Sequence, residues 1–201
     1  MKLYFSPGAC SLSPHIVLRE AGLPFELERV SLKDKKTQSG VDYTTINPKG
    51  AVPALEIDGG VLLTEGAAIV QYIADQKPES QLAPKAGSLE RYRLAEWLSY
   101  IGTELHKSFS PIFRADELAK AAAKEALVPK WAFVAKQLEG KQFLLGERFT
   151  VVDAYLFVML SWAKAKSVEV PPALSEYFER VGARPAVQAA LAAEKAARPK
   201  S

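Results

Sequence analysis

The 201-residue sequence predicts a mixed α/β part followed by an all-helical part. Three observations carry this. Short β-type runs punctuated by Gly and Pro fill residues 1–79. Long Ala-, Leu-, Lys- and Glu-rich segments with few glycines fill residues 88–201. Between them, residues 80–87 contain the breakers Pro84 and Gly87 and read as a linker.

In the first part, residues 2–5 form a strand that stops at Pro7-Gly8. Residues 14–20 form a helix closed by Gly22, with Arg19 complementing the helix dipole in the last turn. Alternation over residues 25–30 gives a second strand, and the polar stretch 31–47 holds at most one short helix. Residues 51–57 and 61–64 are strands joined by Asp58-Gly59-Gly60, a strong hairpin signal. A helix follows over residues 65–76, with Ile69, Tyr72 and Ile73 on one face. The order β-α-β-(α)-β-β-α is a thioredoxin-like layout.

In the second part, Ser88 caps a helix whose Leu94, Leu98, Ile101 and Leu105 repeat at helical spacing. Asp116 opens another, with Leu127, Trp131, Val134 and Leu138 as its buried stripe and a kink expected at Pro129. Thr150-Val151-Val152-Asp153 has capping-box form ahead of the apolar run 155–160. Two shorter helices are expected over residues 173–181 and from Pro185 onward.

Composition excludes several classes. The chain is 48% hydrophobic and 24% charged, an ordinary globular balance. Its net charge of +3 is scattered, so no nucleic-acid partner is expected. The apolar start is too short for a signal peptide, and the stretch 151–163 is too short to span a bilayer. A cytoplasmic protein without membrane contact is therefore expected. With one cysteine, Cys10, no internal disulfide and no cysteine-based zinc site is possible, and two distant histidines offer no metal site.

Cys10 follows a strand and a Pro-Gly turn and precedes a helix, where free amides and the dipole favour an anion. A thiol there is expected to ionise easily. A lone cysteine is otherwise a small buried hydrophobe; its placement favours function. Pro53 at the head of a strand suits an edge or a cis bond, and a cis Val52-Pro53 would present the Val52 backbone to an extended peptide. An ordinary edge proline is the alternative. Glu65-Gly66 opens a helix whose N-terminus can take a carboxylate while Glu65 accepts an ammonium, although Glu is also simply favoured there by the dipole. Ser99, Thr103 and His106 share one helix stripe, with Glu104 and Lys107 alongside. A charged outer face accounts for the latter two but less well for His106, whose neighbours Leu105, Phe109 and Phe113 are apolar.

The segments Ser6-Pro7-Gly8-Ala9-Cys10-Ser11-Leu12-Ser13-Pro14-His15, Asn47-Pro48-Lys49-Gly50-Ala51-Val52-Pro53-Ala54-Leu55 and Leu63-Thr64-Glu65-Gly66-Ala67-Ala68-Ile69-Val70-Gln71-Tyr72 resemble cytosolic glutathione S-transferases. The cysteine-bearing start and Glu104-Leu105-His106-Lys107 are similar to the bacterial beta class, and Phe149-Thr150-Val151-Val152-Asp153-Ala154-Tyr155 to the capping motif of the superfamily. The resemblance covers essentially the whole chain. It implies the glutathione S-transferase fold, a homodimer, and conjugation of glutathione to small hydrophobic electrophiles. Thiol–disulfide or peroxide reduction through Cys10 is the implied side activity. Glutathione is co-substrate, and no further cofactor or metal is expected. Cys10 would lie against the glutathione sulfur, with Ala9 lining the same turn. Lys35 would bind the glycine carboxylate, Val52 before Pro53 the cysteinyl backbone, and Glu65 and Gly66 the γ-glutamyl end. Ser99, Thr103, Glu104, Leu105 and His106 would complete the site from the helical part. His106, Lys107, Phe109, Phe113 and Trp162 would wall the electrophile pocket.

Gly66 stands where other classes place Ser, and Phe5 stands near the place of their catalytic Tyr, leaving Ser11 or Tyr4 as an oxygen donor to the thiolate. Cys10, Ser11 and His106 are the catalytic candidates. The alternatives are a glutathione-dependent dehalogenase or isomerase, or a non-catalytic binder of hydrophobic ligands or antibiotics.

Overall fold

The structure is a computed structural model that describes residues 1–198; the last three positions of the expected helical part lie outside the described residues. It divides into two compact units. Residues 1–83 and those from Arg184 onward form one, and Pro84–Ala183 form the other. The division falls within the expected linker, but the final helix groups with the first unit instead of with residues 88–183.

The first unit holds a five-stranded sheet of order β3-β2-β1-β4-β5. Its strands are β1 (Lys2–Phe5), β2 (Glu26–Ser31), β3 (Lys36–Thr37), β4 (Ala54–Ile57) and β5 (Val61–Thr64). β1 and β2 run parallel and the other pairs antiparallel. The β4–β5 hairpin turns at Asp58–Gly60, where Gly59 takes the positive φ of 80° that the Asp-Gly-Gly signal predicts. The short β3, in the stretch expected to be irregular, pairs only two residues.

Helix α1 (Leu12–Ala21) ends at Gly22, in the left-handed conformation at φ 62°, with its N–H returned to the last turn. Nearly all of α1 is buried because it packs against both α3 (Gly66–Gln76) and the last helix. The short helix α2 (Tyr43–Ile46) covers the other face of the sheet, where Tyr4, Val30, Tyr43, Val52 and Ala54 form one apolar cluster. Alternation along β1 separates the two sides: Tyr4 meets Tyr43, whereas Phe5 meets His15 of α1.

The second unit is helical. Helix α4 (Leu89–Tyr100) is capped by Ser88, whose hydroxyl accepts the Arg91 N–H at 3.2 Å. It runs into a π-helical turn, Ile101–His106, followed by α5 (Phe109–Arg114). The predicted stripe Leu94, Leu98, Ile101 and Leu105 is buried throughout. Helix α6 (Glu117–Leu138) starts at the Asp116 cap and continues through Pro129 as one helix, burying Leu127, Trp131, Val134 and Leu138. Helix α7 (Val151–Ala165) is the central one, with residues 151–160 all buried. Helix α8 (Pro172–Gly182) packs against it, and α9 (Pro185–Ala196) belongs to the first unit.

Asp153 holds the start of α7. Its carboxylate accepts four hydrogen bonds, from the Thr150 N–H (2.8 Å), the Thr150 hydroxyl (2.9 Å), the Leu144 N–H (3.0 Å) and the Tyr177 hydroxyl (2.7 Å). Burial raises the pKa of this carboxyl, and those bonds oppose the rise.

Candidate functional site

The turn after β1 is tied at both ends. Ser11 is fully buried, and its hydroxyl both accepts the Ser6 N–H (3.1 Å) and donates to the Ser6 carbonyl (3.3 Å). That engages the Ser11 oxygen in closing the turn. Tyr4 is equally committed: its buried hydroxyl donates to Glu56 at 2.7 Å, and burial first, then Glu56, holds its pKa far above the usual value. Both oxygen candidates are thus engaged inside the fold.

A third tie comes from the far end of the chain. Glu194 of α9 is buried, and its Oε2 accepts the Gly8 N–H at 2.8 Å. Its Oε1 lies 3.3 Å from His15 Nδ1, while Arg19 Nε donates to His15 Nε2 at 3.0 Å. Since Nε2 accepts, the ring proton sits on Nδ1 and points at the carboxylate. Arg184, just ahead of α9, forks onto Glu20 of α1 at 2.6 and 2.9 Å.

Cys10 is half-buried, and its Sγ donates to the Val52 carbonyl at 3.3 Å. Burial pushes the thiol up to about 11 from an ordinary 9.0. Hydrogen bonds from the Cys10 and Ser11 amides pull it down, and the charges of Glu65 and Glu194 push it further up. This corrects the expectation of an easily ionised thiol. The helix-start amides act as expected, but desolvation outweighs them.

The Val52-Pro53 bond is cis, one of the two forms that a proline at the head of a strand suits. The loop before it is pinned at Ala51, whose carbonyl accepts from both the Tyr43 hydroxyl (2.9 Å) and Asn47 Nδ2 (2.8 Å). The Val52 carbonyl is taken by Cys10, while its N–H has no partner among the described residues. Gly66, first residue of α3, stands against Pro53: a Cβ placed there would lie 3.7 Å from Pro53 Cγ, an ordinary contact. Glu65 precedes it at φ 70° and ψ 114°, a conformation strained for a side-chain-bearing residue. Its backbone carbonyl accepts the Ala68 and Ile69 amides, leaving the Gly66 and Ala67 N–H groups without partners among the described residues. The exposed Glu65 carboxylate pairs with Lys49 at 2.5 Å, and Lys49 also reaches the Thr64 hydroxyl. Lys35 donates to the Gly50 carbonyl at 2.8 Å, which directs it to the same loop. Ala9 packs on the cluster containing Val52. Within the first unit, Ala9, Cys10, Lys35, Val52, Pro53, Glu65 and Gly66 therefore gather around one loop.

The second unit gathers another group. His106 Nδ1 lies 2.6 Å from the Tyr155 hydroxyl, and its ring meets Trp162 edge-on at 4.9 Å. Trp162 also meets Phe113 at 5.1 Å and Phe109 at 5.6 Å. Burial, then the Lys107 charge, lowers the His106 pKa, so the ring is neutral at pH 7. Phe113 is exposed and can contact a ligand, whereas Phe109 is fully buried and supports the other rings from behind. Leu105 is also fully buried, because the heptad-like stripe continues through the π turn; its side chain is core, not binding surface. Ser99 and Thr103 are exposed, with Thr103 Oγ1 donating to the Ser99 carbonyl. Glu104 is held by Lys130 at 3.0 Å.

Sequence reasoning passed over Glu194, Lys49 and Tyr155. Lys49 and Tyr155 carried a signal, their places inside the Asn47–Leu55 and Phe149–Tyr155 segments. Glu194 and Tyr155 act through contacts across 186 and 49 positions. Among the described residues, no three His, Cys, Asp or Glu side chains come together in a way that could hold a metal ion, and no helix is long and apolar enough to cross a membrane.

Residues 8–76 match the family model of the glutathione S-transferase N-terminal domain, and residues 117–180 that of the C-terminal domain. The chain is 47% identical to glutathione S-transferase GstA of Escherichia coli O157:H7, over 96% of this chain and 98% of that protein. Among solved structures, it is 54% identical to the bacterial transferase BphK in a ternary complex, with a TM-score of 0.94 over 97% of this chain and 100% of that one. A sphingomonad glutathione S-transferase complexed with glutathione is 50% identical, with a TM-score of 0.94 over 98% and 100% of the two chains.

Proposed function

The chain belongs to the glutathione S-transferase family, in its bacterial beta class, and from that premise we propose that it conjugates glutathione to small hydrophobic electrophiles. The observation that carries the proposal is the single loop of the first unit, where a cis Val52-Pro53, Cys10 and the open start of α3 meet.

Each group has work in holding an extended tripeptide. The Val52 N–H and C=O pair with its cysteinyl backbone as an added strand would. The Gly66 and Ala67 amides, at a helix start, take the γ-glutamyl carboxylate, and Glu65 takes its ammonium. Lys35 takes the glycine carboxylate. Lys49, now on Glu65, competes with the incoming ammonium.

Cys10 enters through an exchange of partners. Its S–H occupies the Val52 carbonyl in the absence of ligand. When the tripeptide amide claims that carbonyl, the thiol is released to donate to the glutathione sulfur and stabilise it as thiolate. A thiol that keeps its proton up to about pH 11 suits this donor role. In conjugation the glutathione thiol loses its proton to solvent, and the thiolate attacks the carbon bearing a halide. The C–S bond forms as the C–Cl bond breaks, and chloride leaves with the electron pair. The aromatic group around Trp162 supplies the electrophile's apolar wall.

The side activity is disulfide reduction. Ionised Cys10 attacks a glutathione mixed disulfide, forming Cys10–S–S–glutathione and expelling the other thiolate. A second glutathione resolves that bond, giving oxidised glutathione and regenerating Cys10. With no second cysteine in the chain, glutathione or another thiol must perform this step.

The protein acts as a cytoplasmic homodimer, with glutathione as co-substrate and no further cofactor. Dimerisation is supported by an aromatic surface in which Trp97, Tyr100 and Phe133 interlock at 5.2–5.8 Å, and by the exposed Tyr92 on the same helix as Trp97.

The test is retention on immobilised glutathione followed by assay with a chlorinated nitroarene. Retention with glutathione-dependent chloride release supports the transferase. Retention without turnover supports a non-catalytic binder, and failure of both overturns the glutathione site itself.

A further inference from the structure

Folding brings His106, the last residue of the π turn, against Tyr155 of α7, 49 positions later. The turn packs on α7, and the Tyr155 hydroxyl lies over it, 3.8 Å from the place that a Cβ on Gly102 would take. The same hydroxyl stands 2.6 Å from His106 Nδ1. The imidazole meets Tyr155 edge-on at 5.9 Å and Trp162 edge-on at 4.9 Å, so two rings of α7 fix its plane. One ring nitrogen is thus committed to the protein. The other, Nε2, has no hydrogen-bond partner among the described residues.

A neutral imidazole has one N–H and one bare nitrogen, and the partner of one nitrogen selects the state of the other. Either Tyr155 donates to a bare Nδ1 and the proton sits on Nε2, or Nδ1–H donates to the phenol oxygen and Nε2 is bare. The 2.6 Å separation favours the first, because it suits an O–H donor and lies below the range of about 2.7–3.2 Å usual for an N–H donor. The chemistry agrees: a phenol is a stronger donor than a neutral imidazole N–H, and a bare imidazole nitrogen is a stronger acceptor than a phenol oxygen. Burial lowers the His106 pKa, so no second proton overrides this choice at pH 7.

We propose that Tyr155 is a positioning residue whose hydroxyl holds His106 as the Nε2–H tautomer, so that the imidazole serves the reaction as a hydrogen-bond donor and not as a base. Its N–H stabilises the negative charge that builds on an electrophile beside Trp162 as the sulfur adds and the halide leaves. The glutathione proton goes to solvent, since Nε2 has no free electron pair to receive it. This deepens the transferase reading and rests on it.

The experiment records long-range proton–nitrogen correlation spectra of the imidazoles in the intact protein at pH 8. The chain has only two histidines, and His106→Gln assigns their signals. His15 carries its proton on Nδ1 and serves as the internal opposite. For His106 the protonated nitrogen is expected to show cross-peaks to both ring C–H protons, the mark of Nε2–H. A protonated Nδ1 at His106 in the wild-type protein overturns the proposal without any variant. Tyr155→Phe keeps the ring and removes the hydroxyl. In it the His106 Nδ1 resonance is expected to move while those of His15 stay. The same variant should lower kcat for glutathione-dependent chloride release about 3- to 10-fold, the worth of one hydrogen bond, at an unchanged KM for glutathione. An unmoved Nδ1 resonance, or a raised KM at unchanged kcat, overturns the proposal. The spectra need no substrate, so absence of chloride release from the wild-type protein would sink the transferase reading alone.

Discussion

Cys10 is a thiol kept protonated by its surroundings, and this determines what each activity should do with pH. Its pKa is about 11, so at pH 8 only about one molecule in a thousand carries the thiolate. Disulfide reduction needs that thiolate and should rise about tenfold per pH unit between pH 7 and 9, as should alkylation of Cys10 by iodoacetamide. An alkylation rate that levels off below pH 9 would show a more acidic thiol than the fold implies. Conjugation needs only the S–H donor. Cys10→Ala should therefore abolish reduction and lower conjugation by about 10- to 150-fold, the worth of one hydrogen bond to a charged group. At the opening of α3, Gly66→Ser should fit, because its Cβ meets Pro53 at ordinary distance. The added hydroxyl should lower the KM for glutathione a few-fold; a raised KM would mean the γ-glutamyl group lies elsewhere. The sequence located Cys10, Val52, Pro53 and Glu65 through their turn and cap positions, which are local properties. It missed the direction of the Cys10 shift because burial and Glu194 arise only after folding brings distant segments together.

At the scale of elements, boundaries set by caps and turns were legible within a few residues: Gly22 closes α1, Ser88 opens α4, and Asp58-Gly59-Gly60 turns the hairpin. Elements that depend on partners were not. Strand β3 has two residues and exists through pairing with β2, and the π turn at Ile101–His106 leaves the periodic pattern of its helix intact while fully burying Leu105. Helix α9 looks from sequence like one more helix of the all-helical part, yet Glu194 and Arg184 tie it to α1 and the Gly8 turn. Glu194→Ala removes the carboxylate that accepts from the Gly8 amide and pairs with His15, and should destabilise the protein by about 2–4 kcal/mol. It should also change the rate of Cys10 alkylation, a readout that a purely remote structural loss would not move. At the start of α7, Asp153→Ala strands four buried donors and should cost about 3–5 kcal/mol, read as a lower midpoint in urea. A loss below about 1 kcal/mol would mean those donors find water.

At the scale of the whole molecule, chemistry-bearing residues fall into two groups, one in each unit. The first has the amides, charges and backbone edge that suit a tripeptide; the second has the rings gathered around Trp162. Their division of labour follows from composition, since the sheet unit supplies loop and helix-start amides and the helical unit supplies large apolar side chains. The aromatic surface of α4 and α6 should make the protein sediment as a species of twice its 22.0 kDa chain mass, and Phe133→Glu should shift it toward that mass. The central claim, that this chain binds glutathione and joins its sulfur to an electrophile, is tested most directly by glutathione-dependent chloride release from a chlorinated nitroarene, measured side by side for the wild-type protein and Cys10→Ala. Saturable turnover is expected in both, with disulfide reduction surviving only in the wild type. No glutathione-dependent release from the wild-type protein would contradict the claim.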